Sequence, residues 1–341
     1  MLHGTEVHDP YRWLEDGDSE EVARWSAAQN ERTRTVLDAF PARSALRARL
    51  QELLQVGMVG APHVAGDRVF TLEREGGQDQ ATLVMRSAID AAAPARTVVD
   101  PHGMAADHAA SIDWFSPSPD GRLVAYGVSE GGSEHGTLRI VDVDTGDHLS
   151  DEIPHIRHPS LSWLPEGSAF AYSRLPDPAT VASGEEGYWE TVWWHTLGQK
   201  PGDDELLLGD LEKTALPATS ISDDGRWLVF HISYMPTRTD VILLDRETDI
   251  RTVLVEREEA TTWAQVSGGR LFAVTNLGAP RGRVVTAELD RPQAEHWTDV
   301  VPESSAVIDG AVVAGSRLVV ASAEHAVARL HHYALDGTDG R

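Results

Sequence analysis

The stretch GGSEHG at residues 131–136 comes nearest to a nucleophile motif in this sequence. A serine nucleophile elbow needs G-x-S-x-G on a sharp strand-to-helix turn, so that the serine hydroxyl stands clear beside an oxyanion hole. Here His135 occupies the position of the closing glycine, and residues 137–143 have the pattern of a strand, so no helix follows. The pattern therefore predicts a hairpin loop within a sheet, and no catalytic residue.

The 15 histidines form no recognisable metal motif, because no H-E-x-x-H sequence is present. The spaced pairs are His102 with His108 and His155 with His158, and two adjacent histidines at 331–332 of a strand would point to opposite faces. The absence of cysteine excludes disulfides, thiolate metal sites and cysteine nucleophiles. No Walker loop and no G-x-G-x-x-G turn occurs, so we expect no metal site and no cofactor.

Four aromatic residues cluster at Tyr188, Trp189, Trp193 and Trp194 and could be interpreted as a platform for a sugar. Their alternation with polar and β-branched residues is more typical of a strand that packs between blades. Carboxylates are too numerous for one pair to stand out as general acid and base. The residues alone therefore indicate a scaffold without a catalytic centre.

The charge balance limits the partners of the chain. Its 341 residues include 54 Asp and Glu against 29 Lys and Arg, which gives a formal net charge of -25. Such a field repels nucleic acid and anionic lipid, and no apolar run approaches the length of a membrane span. We therefore expect no nucleic-acid partner and no membrane contact. The first residues do not resemble a signal peptide, so we expect a cytoplasmic location.

The first part of the chain, residues 1–57, has the pattern of a helical segment. Asp18 with Glu21 is a candidate capping pair for a helix that runs to Phe40. The spacing of leucines then predicts a second helix over residues 44–56, which a glycine ends.

After residue 57 the sequence changes to short β-type runs separated by Gly, Pro and Asp turns. One phrase, a turn glycine followed by apolar and aromatic residues, recurs at intervals of 44 to 58 residues. A repeat of about 50 residues built from strands is typical of a β-propeller with one four-stranded blade per repeat. We predict a mainly β fold with about six blades over residues 58–341. The repeats begin at Gly66, Gly121, Gly167, Gly225, Gly269 and Gly315.

A family resemblance rests on the N-terminal stretches HGTEV (3–7) and DPYRWLED (9–16), with Trp25 and AQN (28–30) after them. Together they closely resemble the N-terminus of the prolyl oligopeptidase family of serine peptidases. Further stretches resemble parts of its propeller: SEGGS (129–133), SDDGR (222–226), and RL with YALDG (329–330 and 333–337).

The resemblance implies a seven-bladed propeller between an N-terminal segment and a C-terminal α/β-hydrolase domain that carries the catalytic Ser, Asp and His. About six blades are visible here, and no residue matches a member of the triad. The resemblance therefore implies a fragment, a truncated gene product or one part of a split enzyme, which has no catalytic residue and cleaves no peptide alone. The implied partners are a hydrolase domain, in cis or in trans, and short proline-containing peptides.

The resemblance also implies roles for particular residues. The family's N-terminal segment lies against the hydrolase domain, which makes Tyr11, Arg12, Trp13 and Trp25 docking residues. The alternative is that these aromatic side chains fold back onto the helices or the propeller rim. His158, by its place before LSW, stands where relatives have a substrate-lining aromatic residue.

Three functions stay open at this point. In the first, the propeller is a gate that restricts a peptidase to short peptides. In the second, a stand-alone propeller binds a peptide or a protein. In the third, it is a lactonase- or glycosidase-like enzyme, which needs metal-binding carboxylates at the propeller axis. We favour the gate because of the family resemblance. An incomplete propeller would also leave strand edges that a longer polypeptide would cover.

Overall fold

The computed structural model divides into two compact units. The units are Met1–Met58 with Glu75–Asp79, and Val59–Arg74 with Gln80–Arg341. The residues whose structure is described are 3–90, 92–104, 110–133 and 135–341. Within these ranges, no helix combines the length and the apolar character that crossing a membrane requires.

Two helices make up most of the first unit. Helix α1 spans Glu20–Asp38 and helix α2 spans Arg43–Leu54, close to the bounds that the sequence predicts. The predicted capping pair that starts at Asp18 is wrong by one residue. Ser19 is the cap, because its Oγ accepts a hydrogen bond from the backbone N–H of Val22 at 3.2 Å and so satisfies a helix-end donor.

The apolar side chains of the first unit remain at the surface. No residue of α1 or α2 is buried, and Trp25, Phe40 and Leu50 are 42, 55 and 57 % exposed. The rings of Trp13 and Trp25 meet edge to face, with their centroids 6.0 Å apart. The predicted apolar helix positions are therefore present, but the helices bury no core between them.

The second unit contains a β-propeller of six blades, each an antiparallel sheet. Blades 2 to 5 have four strands in sequence order, and blade 6 has three. In blade 1 the strand β3 pairs with β4 and with the short strands β1 and β2. Blade 1 comprises β1 (Met58–Val59), β2 (His63–Ala65), β3 (Arg68–Arg74), β4 (Thr82–Ser87) and β5 (Arg96–Val99).

The next two blades lie on either side of residues 157–160. Blade 2 comprises β6 (Ala110–Pro117), β7 (Leu123–Glu130), β8 (Gly136–Asp142) and β9 (Ile153–Ile156). Blade 3 comprises β10 (Leu161–Trp163), β11 (Ala169–Arg174), β12 (Thr191–Thr196) and β13 (Glu205–Leu208).

The remaining blades complete the described propeller. Blade 4 comprises β14 (Leu216–Ile221), β15 (Trp227–Tyr234), β16 (Arg238–Asp245) and β17 (Ile250–Val255). Blade 5 comprises β18 (Thr262–Ser267), β19 (Arg270–Thr275), β20 (Arg283–Glu288) and β21 (Thr298–Val301). Blade 6 comprises β22 (Val307–Ala314), β23 (Arg317–Glu324) and β24 (Val327–Ala334).

The six repeated glycines lie in the turns before β3, β7, β11, β15, β19 and β23, the second main strand of each blade. All six have φ between 57° and 75°, a left-handed conformation that glycine adopts without steric cost. In blade 2 the Gly121 N–H donates to Ser118 O at 2.8 Å, while Ser118 Oγ accepts from the Leu123 N–H at 3.0 Å. The predicted repeat is confirmed.

The core lies between the blades. Each of five apolar clusters is shared by two neighbouring blades, so every blade buries side chains against at least one neighbour. The first strands are also joined by hydrogen bonds, from Trp163 Nε1 to Ser116 O at 3.1 Å and from Ser162 Oγ to Thr219 O at 2.9 Å. The largest fully buried side chains are Tyr126, Tyr172, Phe70, Phe170, Phe230 and Phe272.

The predicted aromatic strand is only half correct. Trp193 and Trp194 lie on β12, and Trp194 faces Arg246 of blade 4, whose guanidinium carbon is 4.1 Å from the ring centroid. Tyr188 and Trp189 precede the strand, because Trp189 has φ of 65° and so cannot continue an extended backbone. Those two side chains remain in the loop between β11 and β12.

Candidate functional site

His158 lies in the connection between β9 of blade 2 and β10 of blade 3. The serine hydroxyl of Ser173 on β11 fixes this connection: it donates to the carbonyl of His158 at 2.9 Å and accepts from the Ser160 N–H at 3.1 Å. His155 at the end of the same blade has φ of 67°, and its carbonyl accepts from the Leu175 N–H at 2.9 Å. The backbone around His158 is therefore held on both sides.

Two cavities adjoin His158. One has a volume of about 420 Å³ and lies against blade 2, where Asp113, Trp114 and Ile156 line it with Arg157 and His158. The other, with a volume of about 290 Å³, lies between blades 3 and 4, and we call it the His158 pocket. The His158 pocket is lined by Arg157, His158, Gly187, Tyr188, Glu190, Lys213, Thr214, Ala215, Leu216, Tyr234 and Met235.

The topology explains why these distant residues meet. In an antiparallel blade, the start of the first strand, the end of the second and the start of the third share one edge of the sheet. Blade 3 contributes the loop between β11 and β12 at this edge, and blade 4 contributes the start of β14 and the end of β15. The His158 pocket is thus built from the same edge of two neighbouring blades.

Gly187 lies close to the end of the Arg157 side chain on one wall of the pocket. A Cβ at this position would lie 2.9 Å from a guanidinium nitrogen of Arg157. Its missing side chain therefore lets Arg157 approach the β11–β12 loop.

Lys213, which also lines the His158 pocket, is paired with a neighbouring carboxylate. Lys213 Nζ donates to Glu185 Oε1 at 2.6 Å and lies 4.7 Å from the ring centroid of Tyr188. Hydrogen bonds from Lys213 and from Trp189 lower the pKa of Glu185. The carboxylate of Glu185 is thereby kept in its ionised form.

Tyr234 forms another wall of the His158 pocket and is likewise backed by an ion pair. The guanidinium carbon of Arg238 lies 4.0 Å from the Tyr234 ring centroid, and its Nη2 donates to Asp240 Oδ2 at 2.6 Å. Burial, together with the negative charges of Asp240 and Glu212, raises the pKa of Tyr234. The ring therefore presents a neutral hydroxyl at neutral pH.

Glu190 contributes a buried carboxyl group to the site. Its side chain is 1 % exposed, and neither carboxylate oxygen accepts a hydrogen bond from the described residues. The imidazole Nδ1 of His158 lies 3.6 Å from Glu190 Oε2. Glu190 is not predicted from the sequence, because glutamate is almost never fully buried and no local pattern marks this one.

A second buried polar cluster joins blades 2 and 3 but has no access for a ligand. His195 is fully buried, and its Nδ1 and Nε2 lie 2.7 Å from Asp204 Oδ1 and 2.9 Å from Asp151 Oδ1. Tyr172 donates to the other oxygen of Asp204 at 2.6 Å, and the Gly198 N–H donates to Asp151 at 2.6 Å. This cluster also escaped the sequence analysis, because its members come from three separate stretches of the chain.

The charges of that cluster are fixed by the carboxylates. Burial alone would lower the pKa of His195, but the hydrogen bonds to Asp204 and Asp151 outweigh it and raise the pKa. Burial and the Asp204 hydrogen bond raise the pKa of Tyr172. The arrangement is an imidazolium clamped between two carboxylates, which stabilises the contact between the blades and contains no nucleophile.

The residues that the sequence analysis assigned to docking lie in the first unit. Tyr11 is 67 % exposed, and Trp13 and Trp25 form the edge-to-face pair described above. Arg12 Nε lies 3.1 Å from Glu15 Oε2, at the surface.

The other candidate motifs of the sequence are the GGSEHG stretch and the spaced histidines. The GGSEHG stretch lies at the hairpin between the antiparallel strands β7 and β8, and its Glu134 is outside the described residues. His108 is also outside them, and His102 Nδ1 lies 2.6 Å from Asp100 Oδ1. Throughout the described part of the chain, no group of three or more His, Cys, Asp or Glu could hold a metal ion.

Comparison with known proteins finds a family that matches this chain. Residues 1–340 match the family described as "Prolyl oligopeptidase, N-terminal beta-propeller domain". A prolyl endopeptidase of Elizabethkingia meningoseptica is 29% identical over 306 residues, which are 89% of this chain and 43% of the relative. A prolyl oligopeptidase A of Amanita bisporigera is 25% identical over 340 residues, covering 88% of this chain and 43% of that protein.

Solved structures show the same architecture. A structure from a study of two prolyl endopeptidases and the role of their inter-domain dynamics has a TM-score of 0.91 at 29% identity, covering 99% of this chain and 50% of that one. Prolyl oligopeptidase B of Galerina marginata, bound to a 35mer substrate, has a TM-score of 0.85 at 22% identity, covering 97% of this chain and 50% of that one. The chain thus spans about half the length of these relatives.

Proposed function

The chain belongs to the prolyl oligopeptidase N-terminal propeller family, and from this membership we propose that it is the non-catalytic part of a prolyl oligopeptidase-like serine peptidase. The observation that carries the proposal is the match of nearly the whole chain to half of a prolyl endopeptidase, at a TM-score of 0.91. In the proposed enzyme, the other half is an α/β-hydrolase domain that cleaves short proline-containing peptides. The chain alone is inactive.

The proposed role of the propeller is to limit substrates by size. It covers the active site of the hydrolase domain, so that a peptide enters only when it is short or when the domains open. The His158 pocket supports this role, because it gathers cationic, acidic and aromatic side chains at one edge of two blades. We propose that His158 lines the path of the peptide there.

The proposed role of the first unit is docking. Tyr11, Trp13 and Trp25 expose aromatic surface, and such side chains are favourable in water only singly or at an interface. Residues 1–57 would dock on the hydrolase domain, and residues 58–341 would form the gate. Arg12 would supply a charge at the rim of that interface.

The test begins with the native polypeptide in a lysate of the source organism, detected with an antibody against the propeller. We expect a band at about twice the 37.1 kDa of this chain. The captured protein should cleave a fluorogenic peptide of a few residues after proline, and should leave an unfolded protein of more than about 100 residues intact.

A band at 37.1 kDa would overturn the proposal unless a second polypeptide with peptidase activity is captured with it. Equal cleavage of the short peptide and of the long unfolded protein would instead overturn the size limit and leave the peptidase assignment standing.

A further inference from the structure

The carboxylate of Glu190 is the most unusual polar group of the His158 pocket. Its side chain is 1 % exposed, yet neither oxygen accepts a hydrogen bond from the described residues. Buried carboxylates in folded proteins are normally paired or hydrogen-bonded, because an unpaired one costs several kcal/mol of desolvation. A buried carboxyl group without a partner in the fold is therefore a candidate for binding a ligand.

Neighbouring side chains do not meet this need. Lys213 Nζ donates to Glu185 Oε1 at 2.6 Å and lies 4.7 Å from the ring centroid of Tyr188. The imidazole of His158 is 3.6 Å from Glu190, which is beyond hydrogen-bond distance. The pocket, with a volume of about 290 Å³, is therefore lined by a residue whose two carboxylate oxygens have no hydrogen-bond partner among the described residues.

The rest of the pocket suits a long aliphatic stem. Ala215, Leu216, Tyr234 and Met235 line it with apolar surface, and the Met235 side chain is 73 % exposed at the rim. Lysine and arginine side chains lay their methylene stems along apolar surface while their charged ends reach a polar partner. The volume is enough for one such side chain.

We propose that Glu190 is a specificity-determining residue that binds the cationic end of a lysine or arginine side chain of a peptide in the His158 pocket. The claim that such peptides are substrates rests on the proposed function. The binding of the side chain can be measured without cleavage. The same carboxylate chemistry would also accept a free α-ammonium group, so the experiment must separate the two sources.

The experiment measures calorimetric affinities of the 341-residue chain for three tripeptide amides. They are acetyl-Lys-Ala-Pro, acetyl-Nle-Ala-Pro, in which norleucine keeps the stem without the charge, and Nle-Ala-Pro with a free α-ammonium group. We expect the acetylated lysine peptide to bind about 10-fold to 100-fold more tightly than both norleucine peptides, as a charge-assisted hydrogen bond would give.

The variant Glu190→Gln keeps the shape of the side chain and removes its charge. It should lose the preference for lysine and bind all three peptides alike. Glu186→Gln is the matched control, because it removes one negative charge from the same loop, outside the pocket lining. The control should keep the full preference.

The wild-type comparison decides the inference even if Glu190→Gln does not fold. Equal affinities for the acetylated lysine and norleucine peptides would overturn the inference, as would an unchanged lysine preference in folded Glu190→Gln. Tighter binding of the free-amine norleucine peptide alone would also overturn it, in favour of an α-ammonium site. Any of these results would leave the peptidase proposal intact, because that is tested by mass and cleavage.

Discussion

The helical unit and the propeller treat the same kinds of side chain in opposite ways. Phe40 and Trp25 are 55 and 42 % exposed in the helical unit, whereas Phe170 and Phe230 are fully buried in the propeller. The difference follows from architecture, because each blade has a neighbouring blade on which to bury its face. The two helices bury none of their own residues.

This difference in burial indicates which unit contributes more to the free energy of folding. Five shared clusters stabilise the blades within this chain, so the propeller has a core of its own. The apolar surface of the helical unit contributes fully only when another surface covers it. Substitutions in the propeller should therefore reduce the stability of this chain more than equivalent substitutions in the helical unit.

Truncation of one phenylalanine in each unit should give very different losses. Phe230→Ala removes a fully buried ring from the cluster between blades 3 and 4 and should lower the free energy of unfolding by about 3–5 kcal/mol. Phe40→Ala removes an exposed ring and should cost less than about 1 kcal/mol. Urea unfolding followed by tryptophan fluorescence measures both. Similar losses of unfolding free energy for the two variants would contradict this difference between the units.

The polar core of the propeller should be equally self-contained. His195→Gln leaves the buried Asp151 and Asp204 without their cation and should destabilise the chain by about 3–5 kcal/mol near pH 6. His296→Gln, at an exposed position, is the control and should change stability by less than about 0.5 kcal/mol.

The pH dependence of that loss has a definite sign. The pKa of His195 is raised in the folded chain, so its stabilisation is complete below the ordinary pKa of 6.5. It disappears as the pH rises through the raised value. The difference between wild type and His195→Gln should therefore shrink in alkaline solution, and a difference that grows there would contradict the charged clamp.

A second buried histidine should respond to acid. His231 is 1 % exposed and stacks on Trp263 at 4.6 Å between ring centroids, and burial lowers the pKa of His231 to about 4. Its neutral form is favoured in the fold, so stability present above pH 6.5 should be lost as the pH falls toward 4. The loss should reach about 3 kcal/mol.

Urea unfolding of wild type and of His231→Leu between pH 7 and pH 4 measures this contribution. The variant should show a shallower decline in stability, because it carries no proton acceptor at this position. Parallel curves for the two proteins would show that His231 titrates alike in the folded and unfolded chain.

The blades could be predicted from the sequence because their signals are local. A turn glycine, its serine partner and the strand after it are contiguous, over residues 118–130 and 222–234, so Gly121 and Gly225 mark their strands directly. Local signals also had limits. Asp18 and Ser19 are both good capping residues, and the left-handed Trp189 interrupts an alternation that looked like a strand.

The His158 pocket could be anticipated only in part. A resemblance indicated His158, but Glu190 and Tyr234 reach it from other blades, and no spacing in the chain encodes that meeting. The His195 cluster was invisible for the same reason, since Asp151 and Asp204 approach it from outside its own strand. Contacts between blades depend on tertiary packing, which periodicity does not report.

The tryptophan pair should show only a small effect in this chain, but a larger one in a longer polypeptide. Trp13→Ala removes an edge-to-face contact with Trp25 at the surface and should lower the free energy of unfolding of this chain by at most about 1 kcal/mol. In the longer polypeptide that we propose, the same substitution should cost about 2 kcal/mol or more and raise the rate of domain opening, because the ring is then buried at an interface. Thermal unfolding and limited proteolysis of both lengths measure the two effects. Tyr11→Ala, at a more exposed neighbouring ring, should follow the same pattern. Equal, small losses in both lengths would mean that the aromatic residues of the helical unit do not dock on a hydrolase domain.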